Sequence, residues 1–137
     1  MYLLFKYFNS MRTLVKIVFF LFFVFSISEN TIAQSKKLST DDKVIQDSLY
    51  TSNKKKVINF SMRDFDNLFF DFFNKKNDPN ILLSKIEFYT YTVQIAAFSD
   101  RLVKLYPDQK EVAEKNKEIW LSENYEDYLE YKASQKK

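Results

Sequence analysis

Apolar residues recur along this chain at intervals of three and four, and the rhythm breaks only at caps, prolines and polar runs. That period predicts helices. The sharpest start is Ser61, followed three residues on by Asp64, a capping box with Asp in place of Glu. Phe60 before the cap and Phe65 inside the helix make a hydrophobic staple across it. Phe65, Leu68, Phe69, Phe72 and Phe73 then fall within an arc of roughly 140° at about 100° per residue, with Met62 inside it. Arg63, Asp64, Asn67 and Asp71 take the other side, and Phe70 stands at the edge, outside the apolar arc. Pro79 pushes Asp78 out of helical geometry, so this helix closes between Asn74 and Pro79.

The same grammar returns at Ser84, where Glu87 completes the box and Leu83 and Phe88 form the staple. The helix it opens runs to about Tyr106, where Pro107 stops it. One face carries Phe88, Tyr91, Ile95, Phe98, Leu102, Leu105 and Tyr106, and a flank carries Tyr89, Val93, Ala96 and Val103. Only a narrow strip, Thr90, Gln94, Arg101 and Lys104, is polar. A helix apolar around most of its circumference is buried by more than one neighbour. This segment is therefore expected at the centre, with Thr92, Ala96 and Ser99 small enough to admit a close partner.

Asp108 with Glu111 predicts a further capped helix, with Val112, Asn116, Ile119 and Trp120 on one face. The phase changes after Leu121, because Tyr125, Tyr128 and Leu129 lie on a different side, so a bend or break is expected at Ser122-Glu123-Asn124. Upstream, residues 34–60 read as a flexible lead and a weak helix. Ser39 and Asp42 can cap it, Val44, Ile45 and Leu49 give it one thin stripe, and Lys54-Lys55-Lys56 ends it. The expected fold is all-α, a small antiparallel bundle of three main helices over 61–133 plus a short N-terminal helix, with a frayed basic tail at 134–137. The absence of glycine agrees, since tight hairpin turns have no natural occupant for their positive-φ positions.

Residues 1–33 read differently. Arg12 and Lys16 precede the apolar run Ile17 to Phe25, a polar stretch follows, and Thr31-Ile32-Ala33 places small residues before Gln34. That order is a cleavable secretory signal, with a start at Met11 giving the more compact leader. The apolar stretch is shorter than the ~20 residues of a spanning helix, so no stable membrane span is expected after cleavage. Without cysteine there is neither a lipid attachment at the cleavage point nor a disulfide scaffold. The expected destination is the periplasm or the exterior. The formal charge of +3 owes most to Lys6, Arg12 and Lys16 against Glu29, so the remainder is nearly neutral and no nucleic-acid footprint is expected.

The chain has no histidine, cysteine or glycine. That excludes Ser-His-Asp and Cys-His nucleophilic sites, ordinary zinc sites, and the glycine-built phosphate and dinucleotide loops. No catalytic residue, cofactor or metal is expected. Carboxylates remain, and the set Glu123, Glu126, Asp127 and Glu130 could hold a cation or supply a glycosidase-like pair, although acids at helical spacing usually form a solvated face. Asp64 and Asp66 point apart on their helix. Lys54-Lys55-Lys56 is short of a lipid-headgroup cluster. Asn59-Phe60-Ser61 matches a glycosylation acceptor, a pattern that chance also supplies.

Aromatic residues carry the candidate interaction surface: Phe70, with Trp120, Tyr125, Tyr128 and Tyr131. Their plainer role is packing, with Phe70 the exception. The expected function is an exported, non-catalytic protein that binds another envelope or secreted protein. The alternatives are a holdase-like periplasmic chaperone and a hydrolase acting through carboxylates.

Overall fold

Residues 37–136 are described by a computed structural model, and their regular structure is entirely helical. The signal expected at residues 1–33 lies outside the described residues. Five helices follow one another: α1 (Thr40–Val57), α2 (Met62–Asn77), α3 (Lys85–Leu105), α4 (Lys110–Ser122) and α5 (Tyr125–Ser134). None of them is long and apolar enough to cross a membrane.

The helix starts are made by side chains. Ser39 accepts the Asp42 N–H at 3.1 Å. Ser61 and Ser84 form reciprocal capping boxes with Asp64 and Glu87. Asp78 ends α2 in extended geometry immediately before Pro79. Pro107 ends α3 and opens the single 3₁₀ turn Pro107–Gln109. Each device satisfies backbone groups that a bare helix terminus leaves without partners.

Helix α3 is the centre. It contacts α1, α2, α4 and α5, most broadly α1 and α4. Phe88, Tyr89, Val93, Ile95, Ala96 and Phe98 are buried along it. Small side chains are among those buried, namely Thr92, Ala96 and Ser99 on α3 and Ala113 on α4, and α3 and α4 are in broad contact. Small residues at a helix contact bring the two axes together.

The structure departs from the expected three principal helices. Helix α1 is 18 residues long and is among the broadest partners of α3, so it is not a short accessory. Its thin stripe misled because polar groups anchor it: Asp42 and Gln46 are buried along with Val57. The expected capping box at Asp108 does not form. Asp108 lies inside the 3₁₀ turn, and Gln109 precedes α4 without a side-chain cap. The bend or break expected at Ser122-Glu123-Asn124 is a break, with Asn124 capping a separate α5 by accepting the Asp127 N–H at 2.8 Å. Several residues change sides, among them Val44 on α1 and Leu105 on α3, both expected on apolar faces and both exposed. Gln94, expected in the polar strip, is buried and donates to Asn53 Oδ1 at 2.7 Å. Phe73, expected on the core arc, is 37% exposed.

Candidate functional site

A continuous series of aromatic contacts runs from the interior to the surface of α2. Phe65 stacks on Phe98 with ring centroids 4.2 Å apart. Phe72 meets Phe88 edge-on at 6.0 Å and Trp120 edge-on at 5.9 Å. Trp120 also meets Phe69 at 6.1 Å. Phe69 in turn touches Phe70 at 6.1 Å and Phe73 at 6.3 Å. Phe70 is 61% exposed. The outer end of the series is thus a phenyl ring in solvent, touched edge-on by Phe69. Such a ring offers contact area with little rotamer entropy to lose on binding.

The five sequence-predicted surface residues fall in three places. Phe70 and Trp120 are joined through Phe69. Tyr125 and Tyr128 pack 5.7 Å apart around Phe88, at 5.8 and 5.0 Å from it. Their hydroxyls grip the backbone of one residue: Tyr125 donates to the Leu83 carbonyl at 2.8 Å, and Tyr128 accepts the Leu83 N–H at 2.9 Å. Tyr128 is 2% exposed, so it presents nothing to a partner. Tyr131 donates to Asn77 Oδ1 at 2.6 Å, at the far end of α2. The five do not make one patch.

Three clusters of one aspartate, one tyrosine and one or more lysines tie α3 to its neighbours. At the α1 junction Lys85 donates to Asp42 Oδ1 at 2.7 Å and Tyr89 to Asp42 Oδ2 at 2.8 Å. Tyr89 also accepts the Tyr125 N–H at 3.1 Å, which brings α5 into the same knot. Further along α3, Tyr50 donates to Asp100 Oδ2 at 2.7 Å and Lys117 to Oδ1 at 2.9 Å, joining α1, α3 and α4. On the α2 side, Lys75 donates to the Tyr91 hydroxyl at 2.7 Å, and Tyr91 donates to Asp71.

The electrostatics of these clusters are those of settled pairs. Burial pushes the Asp42 carboxyl up, but the bonds from Lys85 and Tyr89 outweigh it and hold it below the usual range. Burial likewise opposes ionisation of Asp100, and Lys117 and Tyr50 reverse it. The bonds from Tyr91 and Lys75 lower Asp71. Burial raises the phenols of Tyr50, Tyr89 and Tyr91. At neutral pH each carboxylate is ionised and each phenol keeps its proton. A general acid or base needs a pKa near the working pH, and these groups are moved away from it. No protein-family model, curated protein or solved structure matches this chain. The functional reading rests on this geometry.

The remaining candidates resolve into local roles. Asp127 accepts from the Asn124 amide at 2.6 Å as part of the α5 cap. No group of three metal-binding side chains occurs among the described residues. Asn59 donates its amide to the Lys55 carbonyl at 3.0 Å, and the Ser61 hydroxyl is engaged by Asp64 at 2.7 Å. Lys54 stands 3.8 Å from Asp100 and over the Tyr50 ring. Sequence reasoning missed the exposed apolar residues Leu82, in the connection before α3, and Ile86, in the first turn of α3. It also missed all three clusters, whose members lie too far apart in sequence to form a local motif.

Proposed function

We propose that this chain is an exported, non-catalytic binding protein of the envelope or exterior, which engages another exported protein through the aromatic edge of α2. The exposed Phe70 ring, held from behind by Phe69, is the observation that supports it. A hot spot is typically an aromatic anchor on a rigid support. Packing of α2 against the central helix α3, through Phe65 on Phe98 and Phe72 on Phe88, supplies that support. The signal reading of residues 1–33 supplies the compartment. Carboxylate catalysis is disfavoured because the buried aspartates are committed to lysine and tyrosine partners.

The test is capture from an envelope extract of the producing cell, with wild-type and Phe70→Asp chains as paired baits. A specific protein retained by the first and lost from the second is the expected result. Equal retention by both baits, or none by either, removes the α2 edge as a binding surface. Mass measurement of the exported product should give an N-terminus at Gln34. An uncleaved product would retract the assigned signal boundary.

A further inference from the structure

The junction between α4 and α5 is a helix whose hydrogen bonding has been taken apart. In an unbroken helix, the Tyr125 N–H would donate to the Leu121 carbonyl four residues back. Each half of that bond has a side-chain substitute from elsewhere in the fold. Gln46, buried on α1, donates its amide to the Leu121 carbonyl at 2.8 Å. Tyr89, buried on α3, accepts the Tyr125 N–H at 3.1 Å. Locally, Ser122 donates its hydroxyl to the Ile119 carbonyl at 2.6 Å, and Asn124 accepts the Asp127 N–H.

No conformationally restricted residue imposes the break. Ser122, Glu123 and Asn124 include neither glycine nor proline. Glu123 (φ −58°, ψ 133°) and Asn124 (φ −126°, ψ 152°) sit in ordinary extended geometry. Glu123 reaches the helical region by rotating ψ alone. The interruption is thus held by packing against α1 and α3 together with the local Ser122 and Asn124 bonds, and no glycine or proline bars a single rod from Lys110 to Ser134.

We propose that Ser122–Asn124 is a hinge, and that straightening it lets α5 dock on a second copy of this chain, giving a dimer with exchanged C-terminal helices. The two sides of the hinge are anchored separately. Helix α4 is pinned by Trp120 against Phe69 and Phe72 and by Lys117 on Asp100. Helix α5 seats on Leu83, Phe88 and Tyr89 of α3 and its approach, and on the C-terminal end of α2 at Asn77 and Asp78. That seat is built by α2 and α3, so the α5 of another copy finds the same partners there. At 10 residues, α5 is too short to persist alone, and so it stays seated on one copy or the other. Exchange keeps the ring and Leu83 contacts of the seat and restores the helical bonds across the junction, at the cost of the Asn124 cap, of the Gln46 and Tyr89 bonds to Leu121 and Tyr125, and of association.

Size exclusion with light scattering on the full chain, over a hundredfold range of concentration, tests this. Wild type should show monomer and dimer, with the dimer fraction rising with concentration. Asn124→Ala removes the cap and favours the rod, so it should raise the dimer association constant about tenfold. Glu123→Pro fits the observed φ but bars an unbroken helix, so it should stay monomeric. A wild-type chain monomeric throughout, or a Glu123→Pro chain that dimerises like wild type, overturns the proposal. Exchange itself is read with the hinge intact. Chains carrying Asn80→Cys and chains carrying Ser134→Cys are refolded together, and the dimer fraction is treated with a short bis-maleimide. A covalent adduct between the two kinds of chain is expected, because Lys132 and Gln135 lie against Asp78 and Asn77. No such adduct above the level seen in the monomer fraction overturns it.

Discussion

Tyr89 and Asp42, far apart in sequence, meet at 2.8 Å in the interior, with the phenol donating to the carboxylate. Asp42 is 3% exposed, and the same phenol oxygen accepts the Tyr125 N–H. One hydroxyl therefore satisfies a buried charge on α1 and a helix-start amide on α5. Tyr89→Phe keeps the ring against Phe88 and removes only that hydroxyl. A buried group left without its partner costs about 1–3 kcal/mol, so the variant should unfold at lower urea with an unchanged slope. An unchanged midpoint would mean that water replaces the hydroxyl.

The pH dependence follows from which groups are moved and in which direction. Asp42, Asp71 and Asp100 have folded values below the unfolded one, so their stabilisation is present above the ordinary carboxylate pKa and is lost as pH falls through the folded values. Lys85 and Lys117 are raised, Lys85 chiefly by its bond to Asp42, Lys117 by bonds to Tyr50 and Asp100 that outweigh burial. Their contribution is complete below the ordinary lysine range and disappears as pH rises through it. The raised phenols act in the same alkaline window. Asp66 runs the other way among the acids, since burial raises it and its ionisation disfavours the fold. With no histidine, unfolding free energy should be nearly flat from about pH 6 to 9 and fall on both sides. A pronounced slope inside that interval would contradict the assignment.

Lys132 is buried at the end of α2, where its ammonium donates to the Lys76 carbonyl at 3.1 Å and to the Asp78 carbonyl. A cation there meets the negative end of the helix dipole and the carbonyls that the last turn leaves open. Lys132→Met retains the stem and removes the charge. Loss of the two bonds should cost about 1–3 kcal/mol. Hydrogen exchange should show α5 amides losing protection before those of α3, because α5 is terminal and short. Uniform loss across all helices would show instead that α5 unfolds only with the whole.

The legible parts of this fold were those encoded locally. Ser39, Ser61 and Ser84 announce three helix starts through residues three positions on, and Pro79 and Pro107 fix two ends. The wide apolar circumference of the segment from Phe88 to Leu102 marks the helix that α1, α2, α4 and α5 surround. What sequence could not give is the pairing of polar groups over distance. Asp42 and Gln46 look like surface positions until Lys85, Tyr89 and Leu121 are brought to them. The thin stripe on α1 understated its burial for that reason. Of the proposed surface, Phe70 was legible because it falls outside its own helix's apolar arc. Tyr125 and Tyr128 carry no such mark, since a tyrosine on a stripe can face solvent or a buried peptide, and Leu83 decides it.

Two phenylalanines in one aromatic series should separate stability from binding. Phe98 is fully buried and stacks on Phe65 at 4.2 Å, with an interplanar angle of 9°. Phe98→Ala removes the ring and leaves a void between helices that cannot wholly collapse, at about 3–5 kcal/mol. A small domain has about 5–15 kcal/mol in total, so this variant should lose a large part of its cooperative unfolding transition. Phe70 touches Phe69 edge-on, with most of its surface in water. Phe70→Ser should therefore change stability by no more than about 0.5 kcal/mol. Chemical denaturation followed by Trp120 fluorescence measures both, because Trp120 contacts Phe69 and Phe72 of the same series. A Phe70→Ser chain as destabilised as Phe98→Ala would place Phe70 in the core in solution, and the α2 edge could then not serve as a binding surface.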